Sequence, residues 1–411
     1  MKRHATAFLL LISATSGLAD PNWPRFRGPN GGGELTAVKV PEKWTQESAK
    51  WSVELAGEGN SSPVVWGGKV FVTSAADRGE RRVLQCFDLE KGAELWQKEE
   101  ASVPHKRHKM NSFASATPAL DAERVYVIWG QPKAIWVIAY THGGEEVWRK
   151  DLGAYEKGHG FGVSPIVVDG KLIVANDQKS GNSIIALDAK TGDEIWKTGR
   201  AAGRATYSTP CVYPHDNGGI DLIVSEWQQG VTALDLATGE EKWSTVTFDV
   251  NDKQRAIGSP ILWDNMVIAT CGFVTGNKRL VALRPPLAGK GEPEKAFQLD
   301  KAVPHVPTPL AHGGRLYLWS DSGMVTCVKL PDGEVLYDRE RVPTRGKTFS
   351  SPVAVGDKIV NCSAQGDLVV IQAGDEFKIV TQAKLPEGTS ATIAGAGGRL
   401  IMRTKSQLLV W

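Results

Sequence analysis

The chain has 411 residues, including 44 Gly, 22 Pro and 14 Trp, and 41% of it is hydrophobic. This turn-rich, tryptophan-rich composition excludes disorder as the main state. Lys plus Arg number 48 against 46 Asp plus Glu, and setting Lys2 and Arg3 aside leaves 46 of each. A nucleic-acid binder carries a basic surplus that neutralises phosphates, so no nucleic-acid partner is expected.

Lys2, Arg3 and His4 precede the apolar run Ala7-Phe8-Leu9-Leu10-Leu11-Ile12, and Gly17-Leu18-Ala19 offers small residues. This layout predicts a secretory signal peptide over residues 1–19, with a retained membrane anchor as the alternative. The run is shorter than the about 20 residues that span a bilayer, and no later segment reaches that length. No cysteine follows Ala19, so a lipid anchor is not signalled. The expectation is an exported protein, periplasmic or secreted, with no transmembrane segment. Residues 20–49 read as an N-terminal extension. Within it, Pro29-Asn30-Gly31-Gly32-Gly33 lacks the Gly-Lys-Ser/Thr ending of a phosphate loop and reads as a flexible spacer.

Export permits disulfides, yet Cys86, Cys211, Cys271, Cys327 and Cys362 are scattered singly. No Cys-x-x-Cys pair suggests zinc, and no Cys-x-x-Cys-His suggests covalent haem. Small buried thiols are the expectation.

A small residue and a proline open a short apolar strand at Ser62-Pro63, Thr117-Pro118, Ser164-Pro165, Thr209-Pro210, Ser259-Pro260, Thr308-Pro309 and Ser351-Pro352. A degenerate eighth copy, beginning at Ala391, lacks the proline. Intervals of 55, 47, 45, 50, 49, 43 and 40 residues separate them. Each proline sits at a strand start, where its missing N–H breaks no ladder bond. About thirty residues after an opening comes a second signature. It is fullest at Asp188…Gly192…Trp196 and Asp235…Gly239…Trp243, with further copies at Asp88, Gly92 and Trp96 and at Tyr140, Gly144 and Trp148. The aspartate accepts N–H bonds across a turn and the glycine supplies positive φ. The tryptophan then wedges between neighbouring sheets. The sixth copy weakens to Gly333 and Tyr337, and the fifth, through Arg284-Pro285-Pro286, has lost the signature.

Four antiparallel strands per 40–50 residues are the unit of a β-propeller. The prediction is an all-β, eight-bladed propeller over residues 50–411. The last blade is one strand short, and the spare strand 50–55 pairs into it to close the ring.

At the Ala-Leu-Asp-x-x-Thr-Gly-x-x-x-Trp segments the chain resembles the pyrroloquinoline-quinone-type propeller repeat family. Within that family it is similar to exported members lacking the cofactor, including the propeller subunit of the bacterial outer-membrane assembly machine. Trp23-Pro24-Arg25-Phe26-Arg27-Gly28-Pro29-Asn30-Gly31 also resembles the opening of exported planctomycete-type propellers. The resemblance implies fold more than activity. Quinoprotein dehydrogenases of the family use an adjacent cysteine pair, a calcium and a catalytic aspartate. No cysteines are adjacent here, and no calcium ligand or catalytic aspartate matches residue by residue.

Loops from second to third strands and between blades are long and varied; those on the opposite face are short. Function concentrates on varied loops over a rigid scaffold, so the expected site is the mouth of the central channel on the first face. Blade-to-blade loops bring His105, His108, Asn111, His159, Phe161, Arg204, Tyr207, Arg255, His305, Lys347 and Phe349. Second-to-third loops add Asp177, Glu226, Trp227 and Asp321. Such a set suits an anionic ligand, with Arg204 and Arg255 as bidentate partners. A metal on His108, His159 and His305, or a solvated polar funnel, are the alternatives. The functional expectation is a non-catalytic binding or scaffolding module, monomeric or part of an envelope complex. Its partner is a protein, peptide or saccharide, and no cofactor is expected. The alternative is a quinone-dependent dehydrogenase using pyrroloquinoline quinone with calcium.

Overall fold

A computed structural model describes residues 21–156, 158–178, 181–201, 203–248, 254–273, 275–286, 289 and 291–411. The signal-peptide reading lies outside them. Among the described residues no helix is long and apolar enough to cross a membrane.

Seven of the innermost strands begin one residue after an opening proline, as at Val64–Trp66, Ile166–Val168 and Val353–Val355. Each blade then meanders outward through antiparallel neighbours. The third, for example, runs through Lys171–Asn176 and Ser183–Asp188 to Glu194–Gly199. Eight such sheets form the ring. The last holds Ala394–Ala396, Arg399–Arg403 and Gln407–Val410, and its fourth strand is Trp51–Glu54, paired antiparallel from Trp51↔Val410 to Glu54↔Gln407. The predicted closure is present. Buried apolar clusters lie between neighbouring blades, as where Ile173 and Ala186 of the third meet Leu222 and Leu234 of the fourth.

The turn-and-wedge signature works across blades. Asp188 Oδ1 accepts the N–H groups of Lys190 and Thr191 at 2.7 and 3.0 Å, and those bonds hold its carboxyl below the usual range. Asp88 and Asp235 bind their turns in the same way. Gly192 has φ +77°, and a Cβ there would sit 2.6 Å from the ring of Trp148 in the preceding blade. That glycine is therefore required twice, for backbone and for contact. The same fit puts Trp51 on Gly92, Trp96 on Gly144 and Trp196 on Gly239. The indole N–H groups of Trp51, Trp96, Trp148 and Trp196 each donate to a carbonyl of the next blade. Among the described residues Trp243 Nε1 has no such partner; the fifth blade carries Pro285-Pro286 where its neighbours carry the turn. That blade has not lost its wedge, however: Phe297 lies over Gly333 of the sixth.

The small residue before each proline does more than begin a strand. In seven of the eight copies the hydroxyl at this position accepts the N–H of the equivalent residue in the preceding blade. The bonds run from Ser62 to Thr117, Thr117 to Ser164, Thr209 to Ser259, Ser259 to Thr308, Thr308 to Ser351, Ser351 to Thr392 and Thr392 to Ser62, all at 3.0 Å. The eighth opening therefore registers on Thr392 rather than Ala391, which corrects the last interval to 41 residues.

The Pro29–Gly33 stretch is not a flexible spacer. Residues Trp23 to Gly33 cross the face opposite the mouth and plug the channel. Trp23 bridges Val65, Arg25 Nη2 donates to Pro210 O at 2.6 Å, and Arg27 donates to Pro309 O and Pro352 O at 3.0 and 2.7 Å. The side chain of Asn30 bonds both N–H and C=O of Val212, and Glu34–Leu35 then adds a parallel strand to the seventh blade. Inner strands face the channel with unpaired backbone groups, and the plug pairs those of Val65, Leu120, Pro210, Val212, Pro309, Pro352 and Ala354. Burial lowers the guanidinium pKa of Arg25 to about 10 and that of Arg27 to about 9.

Candidate functional site

Residues two positions before each girdle hydroxyl form one ring inside the channel: Asn60, Ser115, Gly162, Tyr207, Ile257, Val306, Phe349 and Ser390. The eighth to third blades contribute the small polar members, and the fourth to seventh contribute Tyr207, Ile257, Val306 and Phe349. The ring is thus split into a polar and an apolar half. Below it, the girdle residues and Phe26 of the plug enclose a space of about 110 Å³. Above it opens a cavity of about 490 Å³, whose rim carries His108, Lys109, Met110, Asn111, His159, Arg255, Phe273, His305, Asp321 and Lys347.

Short-range bonds fix the rim. His108 N and Asn111 Nδ2 both donate to His159 O, at 2.9 and 3.0 Å. The two imidazoles lie 5.3 Å apart, 31° from parallel. Arg255 Nη2 stands 3.3 Å from His159 Nδ1, and its Nη1 donates to Ala205 O at 2.8 Å. Burial, and next the charge of Arg255, pushes His159 down, which favours neutral imidazole. Asp321 accepts the N–H groups of His305 and Val306 at 2.8 and 3.2 Å, tying the entry loop of the sixth blade to that blade's second-to-third loop. The rim therefore sets Lys109, Arg255 and Lys347 against one carboxylate.

His108, Asn111, His159, Tyr207, Arg255 and His305 all line the cavity; Arg204 and Glu226 stand outside its lining. The charge of Arg204 still reaches His159 and Arg255. Glu226 is buried beside the mouth, its Oε2 accepting the N–H groups of Gln228 and Gln229 at 2.6 and 3.0 Å and its Oε1 unpartnered. Nearby, Asp177 accepts from Thr206 Oγ1 at 2.8 Å and lies 3.5 Å from Arg200 Nη1. His105 packs against Phe113 and Tyr155 instead of the mouth. Among the described residues no three of His, Cys, Asp and Glu converge as a metal site would need. Met110, Ile257, Phe273 and Val306 were not expected in the lining. Ile257 and Val306 share a fixed offset from the repeat opening, a signal the sequence does contain.

Burial raises Glu226 to about 7, against a residual pull from its two backbone bonds. A carboxyl raised in the folded state costs stability as pH rises from its unfolded value through the folded one. Glu226→Gln is therefore expected to match wild type near pH 4.5 and to melt higher at pH 8. A constant difference across that range in pH-dependent melting would contradict the assignment.

The five cysteines occupy five different blades, all buried and unpaired. Burial raises the thiols of Cys86, Cys211, Cys327 and Cys362 to about 12, so they are inert. None lines the mouth. The cysteine ring that holds quinone in the family's dehydrogenases therefore has no counterpart, and the residues present do not fit that cofactor in that mode.

Among known proteins, a quinohemoprotein alcohol dehydrogenase of Comamonas testosteroni is 32% identical over 130 residues, 29% of this chain. The chain spans only 18% of that enzyme's length. The outer membrane protein assembly factor BamB of Yersinia pestis is 20% identical over 349 residues, covering 81% of this chain and 79% of that protein. In structure, BamB from Moraxella catarrhalis superposes with a TM-score of 0.63 at 17% identity, covering 88% of this chain and 95% of that one. A europium-containing methanol dehydrogenase gives 0.71 at 12%, covering 95% and 98%. At these identities the structures share the fold. A family profile described as outer membrane protein assembly factor BamB matches residues 36–131 and 79–336, more than half of the chain. The protein is a member of that pyrroloquinoline-quinone-like propeller family.

Proposed function

We propose that this protein is a non-catalytic scaffold of the bacterial envelope that receives a protein partner on its mouth face. The observation that carries the reading is length: the assembly factor of Yersinia pestis is matched over 79% of its own chain, the alcohol dehydrogenase over 18%. The architecture agrees with it. One face is sealed by the plug and carries short turns, while the other offers long loops pinned by Asp321, His159 and Arg255. Function gathers on such loops. Export to the periplasm is part of the same proposal, from the charged and apolar character of residues 1–19.

The quinone-dependent dehydrogenase draws on the dehydrogenase relatives but has no cysteine ring to hold its cofactor. Cross-linked capture from envelope extract tests the scaffold. Wild type is expected to recover an envelope protein that is lost when residues 104–111 are replaced by a Gly-Ser loop of equal length. Identical capture by both forms would reject the mouth face as the docking face.

A further inference from the structure

We infer that the mouth cavity binds a small amphipathic carboxylate, its apolar body on the Tyr207–Ile257–Val306–Phe349 half of the ring and its anion at the rim. The inference rests on the mouth as the binding face and adds the chemistry of what enters it.

Three observations lead there. First, the channel is blind: Phe26 closes its far end, so a chain cannot thread through and only a compact group can enter. The cavity of about 490 Å³ falls within the roughly 300–1,000 Å³ of small-molecule sites. Second, the ring is two-sided. Its apolar members come from four consecutive blades, and the cations Arg255 and Lys347 belong to loops of those same blades. Lys109 is the third rim cation, above the polar half. The one facing carboxylate, Asp321, is already engaged by two backbone N–H groups, so an incoming anion meets a cationic rim. Third, Tyr207 is half-buried with its hydroxyl shut away from the cavity, so what it presents to an incoming body is its ring. Tyr207 also lies across the bare Gly162, whose Cβ would approach its ring at 3.2 Å. Apolar surface lies deep and charge lies at the rim, so the body enters first.

The same chemistry is offered by a free organic acid and by the C-terminal residue of a peptide. Calorimetry on the purified protein distinguishes them with four probes: 3-phenylpropionate, 3-phenylpropanamide, and a tetrapeptide ending in Phe with free or amidated carboxyl. The acid is expected to bind roughly tenfold or more tightly than its amide, as a charge-assisted contact requires. Matching affinity for the free-carboxyl peptide assigns the site to chain ends; its failure beside a binding acid assigns it to free acids. Lys347 is exposed and Phe349 half-buried, so Lys347→Gln with Phe349→Ser is expected to keep the wild-type melting temperature and lose binding at least tenfold. Should that variant unfold, Lys347→Gln alone is expected to weaken the acid and leave the amide unchanged. Equal binding of acid and amide, no binding of any probe, or wild-type binding by a folded variant overturns the inference. Absent probe binding with partner capture intact removes this inference alone. Lost capture with acid binding intact removes only the scaffold.

Discussion

Deleting residues 50–55 is expected to lower stability by on the order of 5 kcal/mol, the scale of losing a large packed aromatic together with a strand edge. Trp51–Glu54 is the fourth strand of the last blade, and Trp51 also covers Gly92 and donates to Leu89 O at 2.8 Å in the first. Without it the ring loses the β-ladder that completes its last blade from the segment preceding the first. A second latch stays behind: buried Arg403 of the last blade donates to Ser61 Oγ at 2.7 Å and to Ser74 Oγ at 3.1 Å in the first. The deletion should therefore yield a ring that still assembles but melts early. Trp51→Phe should lie between the two. A melting curve that overlays wild type would reject the closure as an energetic feature.

Arg27→Ala is the second large effect. One guanidinium, fully buried, supplies donors to Gly31 O, Pro309 O and Pro352 O. Truncation leaves these acceptors buried without their donor. The expected cost is about 3 kcal/mol or more, since hydrogen bonds to charged groups are worth more than neutral ones and orphaned acceptors add a penalty. Arg27→Lys should not restore stability, because one ammonium cannot reach carbonyls spread over separate blades as a planar fork does. Chemical denaturation with each variant checks this. A lysine form as stable as wild type would mean that charge alone, and not the fork, is needed.

These two elements differ in how visible they are in the sequence. The closing strand is a local pattern, Trp51 to Glu54 standing one strand short of a repeat, and the repeat itself is announced by prolines and Thr-Gly turns. The plug is invisible for a physical reason. Arg25 and Arg27 donate to carbonyls 185, 282 and 325 residues away, and no neighbour in the chain hints that these cations lie buried. Gly-rich local composition points instead to a loose spacer. The hydroxyl girdle is carried by the sequence without standing out, since Ser and Thr alternate freely at the opening and only their shared –OH matters. The mouth was legible in part. Charged and ring-bearing loop residues such as His159 and Arg255 stand out, whereas Ile257 and Val306 look like ordinary core until the girdle fixes their height. Glu226 reads as a loop carboxylate, and its turn folds it away from the opening.

The girdle has a geometric corollary. Each of the seven links is the same bond, 3.0 Å from N–H to hydroxyl between equivalent residues of adjacent sheets, so it repeats one spacing, or chord, around the ring. A fixed chord and a fixed number of sides determine the radius of a polygon. The bore of the channel is thus an integer property of the ring: it widens or narrows only by gaining or losing a whole side. Within a given bore, the lumen is tailored by exchanging the inward-facing residue of one sector at a time, leaving the frame untouched. The half-polar, half-apolar lumen is one such assignment of sectors.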